Sequence, residues 1–229
     1  VGGQAVVEYF RGLLLTLKGT SSEAMSVSVK WDGAPAVVCG TNPDNGRFFV
    51  GTKSVFAQAT KINYTKKDIA KNHGTEELGQ KLLKCLVHLK KLNIQGVVQG
   101  DLLYTDEDIT RKNIDGKPHL TFTPNTITYA VPEGGDLSKK IDRAKVGIIF
   151  HTTYTGESLA SMNAQGGADV SSFAQSPDVF FDNASYKDVS GSAKFTADES
   201  QQFYNSIDKL ETLLNGVPRD LSNVLGQNT

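Results

Sequence analysis

The densest turn signal in this chain, Asn42-Pro43-Asp44-Asn45-Gly46, lies between two short apolar runs, Ala36 to Gly40 and Arg47 to Gly51. Pro presets φ, Asn and Asp bond their own backbone, and Gly accepts the positive φ of a tight reversal, so the flanking runs are expected to pair as antiparallel strands. Upstream, Met25, Val27, Val29 and Trp31 alternate with Ser26, Ser28 and Lys30. That period predicts a half-buried strand over Met25 to Trp31, with Lys30 near its end on the polar face. Asp32-Gly33-Ala34-Pro35 then turns the chain into the next strand, giving three consecutive antiparallel strands.

Helical spacing surrounds this β region. Residues Gln4 to Lys18 place Ala5, Val6, Tyr9, Phe10, Leu13, Leu14 and Leu17 on one stripe, the pattern of an amphipathic helix. Lys66 to His73 and Glu76 to Leu92 repeat it, with lysines on the polar side of the second. Gly96 to Tyr104 reads as a nearly continuous apolar strand carrying Asp101. His119 to Thr123 and Ile127 to Val131 read as two more strands, Leu137 to Lys145 as a charged helix, and Val146 to Tyr154 as a β-rich run. Past Gly156 the composition turns to Ser, Ala, Gly, Asn and Asp until Val179 to Phe181. A last helix, Ala197 to Leu214, starts at a Thr196 cap with Glu199 at the capping-box position. The expected class is α+β, built on antiparallel sheet with flanking helices.

With 229 residues, 38% hydrophobic and 21% charged, the chain can bury its own core in one or two domains without disulfides or metals. A net charge of −1 excludes a uniformly basic coat, so any nucleic-acid contact must come from local patches. No apolar run approaches the roughly 18 residues of a membrane helix, and no signal-peptide order is present, so a cytoplasmic location with no membrane partner is expected. Cys39 and Cys85 lack CxxC spacing and are expected as buried thiols. The phosphate-binding P-loop, the dinucleotide fingerprint and the GxSxG elbow are all absent, which removes those enzyme classes. The four histidines show no metal spacing; His151 is read as a strand histidine. The chain begins at Val1 rather than Met, as an incomplete or processed version of a longer product would.

A lysine acts as a nucleophile only when deprotonated, which calls for partial burial or a nearby cation. Lys30, ahead of a turn whose Gly33 lets backbone approach a ligand closely, is the candidate. Phosphate chemistry also calls for a divalent ion held by carboxylate oxygen, and Asp101 is the candidate ligand. Each residue has a plainer reading: Lys30 as a solvated strand lysine, Asp32-Gly33 as a hairpin turn, Asp101 as a strand-end carboxylate, and Tyr129 as core.

Lys30, Asp32 and Gly33 in the run Val29-Lys30-Trp31-Asp32-Gly33 match KxDG, and the chain in this respect resembles the covalent nucleotidyltransferases that include ATP-dependent DNA and RNA ligases and capping enzymes. Lys53 in Gly51-Thr52-Lys53-Ser54 stands where that family has an arginine-bearing motif. Asp101 in Gly100-Asp101-Leu102-Leu103 stands at its third motif, where glutamate is usual. Tyr129 in Thr128-Tyr129-Ala130-Val131 stands where an aromatic residue stacks on adenine. The resemblance implies an antiparallel-sheet nucleotidyltransferase fold, an ATP-grasp-like ligase adenylation domain. It implies that Lys30 attacks the α-phosphate of ATP, with Mg2+ or Mn2+, to form a lysyl-AMP that passes to the 5′-phosphate end of a nucleic acid. Val29, Trp31, Asp32, Gly33, Lys53, Asp101 and Tyr129 would form the nucleotide pocket, with Asp101 also on the metal. The family's acidic-Gly strand and Lys-x-Lys strand have no counterpart here, since Glu133-Gly134-Gly135 reads as a turn.

The runs KWDGAPAVVCG, GRFFVGTKSVF, VVQGDLLYT and TFTPNTITYAVP also resemble uncharacterised proteins of tailed phages, notably marine ones, which would place the protein in the host cytoplasm. The expected organisation is an adenylation core over residues 1–155, followed by a Ser/Gly/Asn-rich extension and C-terminal helix over 156–229 packed on it. The alternative is a phage protein that keeps this scaffold to bind nucleotide or nucleic acid without chemistry. A third reading, a virion or host-interaction protein that docks through the Ser/Gly-rich half, has no positive sequence feature behind it.

Overall fold

The computed structural model describes residues 2–18, 28–185 and 194–216. It divides into two compact units, Ser28–Ser185 and a second one made from Val1–Val27 with Tyr186–Thr229.

In the larger unit, strands β1 (Ala36–Thr41) and β2 (Phe48–Gly51) form the hairpin around Asn42 to Gly46. Asn42 explains the turn's shape: its side-chain oxygen accepts from the Asp44 N–H at 2.8 Å and its amide donates to the Tyr64 hydroxyl at 2.6 Å. Helix α2 (Lys66–His73) starts from a Thr65–Asp68 capping box. Helix α3 (Glu77–Leu89) follows and ends in a 3-10 turn, Lys90–Leu92. Next come β3 (Val97–Thr105), β4 (Thr110–Ile114), β5 (Lys117–Phe122), β6 (Tyr129–Pro132), helix α4 (Asp136–Arg143), β7 (Val146–Thr155), β8 (Asn163–Gly166) and β9 (Val179–Asn183).

The main sheet runs β2-β1-β3-β7-β8, antiparallel throughout, and β9 adds in parallel along residues 146–150 of β7. A second antiparallel sheet has the order β4-β5-β6. The molecule is thus α+β, with antiparallel sheets and flanking helices.

Successive strand residues point to opposite faces, so the clusters they join reveal the layers. On one face, Val37, Cys39, Val98, Leu102, Ile148 and Phe150 meet Leu82, Cys85, Leu86 and Leu89 of α3, whose i, i+3, i+4, i+7 spacing makes a single stripe. On the other face two separate clusters form. Val38, Phe49 and Val97 pack with Val55 and Leu159 toward one end. Leu103, Tyr104 and Ile149 pack with Leu120, Phe122 and Ile141 toward the other. Gly147 serves this second cluster: a Cβ there would lie 2.1 Å from the Tyr104 ring.

The smaller unit contains α1 (Gly2–Leu17) and α5 (Ala197–Asn215). Val7, Phe10 and Leu14 pack on Phe203, Ile207, Leu210 and Leu214. The Phe195 N–H donates to the Leu17 carbonyl at 2.9 Å, while Gly3 lies against Leu214, so the helices run antiparallel. The Thr196–Glu199 capping box is present.

One expected element differs. Residues 25–27 of the strand foreseen over Met25 to Trp31 lie outside the described residues. Of the remainder, only Ser28 makes an isolated antiparallel bridge, to Ser185, and residues 29–33 are irregular. Val29 is 42% exposed, and Trp31 packs into the Leu103–Phe122 cluster. The alternation therefore arises from one exposed and one packed side chain in an irregular segment. β1 accordingly pairs with β2 and β3 rather than with this segment.

Candidate functional site

The segment from Val29 to Gly33 is held at four points by three separate parts of the chain. The Val29 N–H donates to the Ala184 carbonyl at 2.8 Å, just past β9. The Trp31 ring lies 5.5 Å from that of Tyr129, tilted by 31°. The Asp32 N–H donates to the Tyr129 hydroxyl at 3.0 Å. Gly33 lies so close to β3 that a Cβ there would come within 2.5 Å of the Asp101 Cβ and 2.9 Å of the Leu102 carbonyl oxygen. Any side chain at position 33 would push the turn off the sheet. Directly beyond, Ala34 donates to Leu102 at 2.9 Å, and Leu102 donates to Pro35 at 3.1 Å, which ties the turn to β3 before β1 begins.

The Asp32 carboxylate is a clamp. It accepts from the Asn125 side-chain amide at 2.9 Å and from the backbone N–H groups of Thr126 and Ile127 at 2.7 and 2.8 Å. These donors favour the charged form and bring its pKa down to about 2, with the Asn125 amide contributing most, then Ile127 and Thr126. Asp32 thereby fixes the β5–β6 loop against the turn. Nothing in the sequence singles out Thr126 and Ile127, because their backbone N–H groups do the work. Only the turn-rich Pro124-Asn125 pair hints at the arrangement.

Lys30 is exposed, and no described residue hydrogen-bonds or ion-pairs with its ammonium group. The burial expected around it is therefore not supplied by the described residues. Asp101 is half-buried, with Oδ1 3.4 Å from His151 Nε2. It occupies the sheet face between the two clusters, since its register partner Ile149 belongs to one of them while Val38 and Val97 belong to the other. His151, read as a strand histidine, is in β7 as expected and also touches Asp101. Its Nδ1 is 2.8 Å from the Thr152 hydroxyl.

Tyr129 is half-buried, its ring also 5.5 Å from Phe122. Both the hydroxyl and the ring are thus used within the protein, which is the core role weighed against the adenine-stacking one. Lys53 is exposed at the start of a 3-10 turn, Lys53–Phe56, capped by Thr52. No hydrogen bond or ion pair joins it to the group around Lys30 among the described residues. The structure therefore gathers Val29, Lys30, Trp31, Asp32, Gly33, Asp101 and Tyr129, and adds Asn125 and His151. It also sets Asp182 in the same row across the sheet, through the pairings of Asp101 with Ile149 and Ile149 with Asp182.

Among the described residues no group of three or more His, Cys, Asp or Glu side chains could hold a metal by itself. A hard cation such as Mg2+ commonly takes one or two carboxylates together with substrate phosphates. Asp101 fits that one-carboxylate mode. Cys39 and Cys85 are fully buried, and burial raises both thiol pKa values, that of Cys85 to about 12. Among the described residues no helix is long and apolar enough to cross a membrane.

Residues 1–228 match the model of a family of unknown function, DUF6267. No curated protein and no solved structure matches the chain.

Proposed function

The chain belongs to the DUF6267 family, and from its own residues we propose that it is an ATP-dependent, ligase-type nucleotidyltransferase with Lys30 as the nucleophile. The carrying observation is convergence. Three stretches far apart in sequence, around Lys30, Asp101 and Tyr129, each resemble a ligase motif and meet at one turn through the Gly33–Asp101 approach and the Asp32–Tyr129 hydrogen bond. An antiparallel-sheet adenylation fold belongs to the same proposal.

In this reading the neutral Lys30 amine attacks the α-phosphorus of ATP. A P–N bond forms, the bond to the bridging oxygen breaks, pyrophosphate leaves and the amine loses a proton. An oxygen of a nucleic-acid 5′-phosphate then attacks the same phosphorus and displaces the Lys30 amine, leaving an AMP-capped end ready for joining. Lys30 stands exposed, so its activation belongs to the ATP-bound complex. Asp32 acts as a positioning residue by fixing the turn, and Gly33 lets the turn rest on β3. Asp101 would hold Mg2+ or Mn2+, whose chemistry is to offset phosphate charge. Lys53 would reach sugar or phosphate, and Tyr129 would support the base beside Trp31. For a phage-encoded protein, the host cytoplasm would supply both substrates.

The test is intact mass of the purified chain before and after ATP with Mg2+, and again after pyrophosphate. The expected result is a gain of one AMP, reversed by pyrophosphate and lost completely in Lys30→Ala. A wild-type mass that never moves sinks the chemistry. The exposure of Lys30 favours one other reading, a nucleotide- or nucleic-acid-binding module without chemistry; there ATP affinity would survive Lys30→Ala with no covalent label in the wild type.

A further inference from the structure

Beside the sheet face that carries Asp101, α4 and β9 enclose an open groove of about 730 Å³. One wall is the outer face of α4, where Lys139, Lys140 and Arg143 stand together; Ser138 and Ile141 point the other way and are buried. Spacings of three and four residues place Lys139 and Lys140 on the same side as Arg143. The other wall is formed by Pro177, Phe180 and Asp182. The groove is thus lined by three cations against one carboxylate, in a chain whose net charge is −1. Lys139 makes only a long exposed pair with Asp136, at 3.7 Å. Neither Lys140 nor Arg143 forms an ion pair among the described residues.

Among the described residues, two other cations near α4 are committed elsewhere. Arg111 pairs with Asp142 and Glu133, and Lys145 pairs with Asp106. The wall therefore keeps two cations, Lys140 and Arg143, with no ion pair among the described residues, and it faces an apolar surface containing the half-buried Phe180 ring. Uncompensated cations opposite an aromatic surface suit a ligand with a repeating anionic backbone and flat apolar groups. The groove also has a direction. β9 leaves it at Asp182 and Asn183, and the next residue, Ala184, bonds Val29, the neighbour of Lys30.

We propose that this groove binds a nucleic-acid strand, with backbone phosphates on Lys139, Lys140 and Arg143 and a base against Phe180, and that it leads the strand's end toward Lys30. Strand binding stands on the groove itself; only its direction rests on the proposed nucleotidyltransferase chemistry.

The experiment is fluorescence anisotropy of the whole chain with a labelled, 5′-phosphorylated single-stranded oligodeoxynucleotide and with its RNA counterpart. Wild type is compared with the double variant Lys140→Glu, Arg143→Glu. A second double variant, Lys66→Glu, Lys67→Glu, makes the same charge change on exposed α2 positions. The groove variant is expected to bind at least about tenfold more weakly, and its log Kd against log salt should flatten by about 1.4, the loss of two phosphate contacts to a single strand. The α2 variant should stay within about twofold of wild type, as screening requires for charges away from the ligand. Equal loss in both variants, no loss in the groove variant, or no wild-type binding to either probe would overturn the proposal. The Lys30–AMP mass measured on the same preparation separates the two readings. Binding lost in the groove variant without any AMP label leaves the groove standing and removes the chemistry. An AMP label with binding indifferent to Lys140 and Arg143 does the reverse.

Discussion

Asp32 concentrates three donors on one carboxylate, and two of them are backbone N–H groups that of all substitutions only proline would remove. Because its folded pKa, about 2, lies below the unfolded value of about 3.9, the group binds fewer protons folded than unfolded. Its contribution to stability is therefore complete above about pH 4 and is lost as pH falls toward 2. Asp32→Asn keeps the shape but replaces an acceptor oxygen with an amide donor facing the donors of the 125–127 loop. The expected result is a lower melting temperature than wild type at pH 7, with the gap narrowing as both proteins are taken from pH 4 toward pH 2. A gap independent of pH would show that the carboxylate's charge is not what holds the loop. Lys30 should also become harder to label with AMP in this variant, since the turn that presents it loses its tether.

Among the described helices, α3 carries the most burial. Leu82, Cys85 and Leu89 are fully buried, so Leu82→Ala is expected to cost about 2–5 kcal/mol in chemical denaturation. The thiols of the same layer should stay silent toward an aromatic disulfide reagent in the folded protein and both react in denaturant, because burial disfavours the thiolate. These helices were legible in sequence because a helix that buries one stripe writes that stripe at fixed spacing, as α1, α3 and α5 do. β4 was not legible: Thr-Arg-Lys-Asn-Ile is exposed along its whole length and has no apolar alternation to read. β8, Asn-Ala-Gln-Gly, is exposed along its length and carries no such pattern either. The irregular stretch at 29–33 carries a strand-like pattern because Val29 and Trp31 imitate a period of two. The turn's importance was visible in Lys30, Asp32 and Gly33, but its anchoring was not, since Gly33's neighbour is 68 positions away at Asp101 and Asp32's partners are mostly backbone.

At the scale of the whole molecule, three of the four apolar clusters draw every member from residues 28–185, and the fourth draws all of its members from α1, α5 and Phe195. A chain cut to residues 28–185 is therefore expected to unfold as a single cooperative transition on heating, with its near-ultraviolet circular dichroism retained; a broad, non-cooperative melt would show that its cores are incomplete without the helical pair. The larger unit also begins and ends at neighbouring points, since Ser28 bridges Ser185. In sequence it is an insertion: a 158-residue body spliced between two helices that pair with each other. Its ends could be sewn together and new ones opened at the exposed Asp115-Gly116 reversal between β4 and β5, giving a circular permutant in which Lys30 no longer stands beside a chain terminus but in the middle of an unbroken loop.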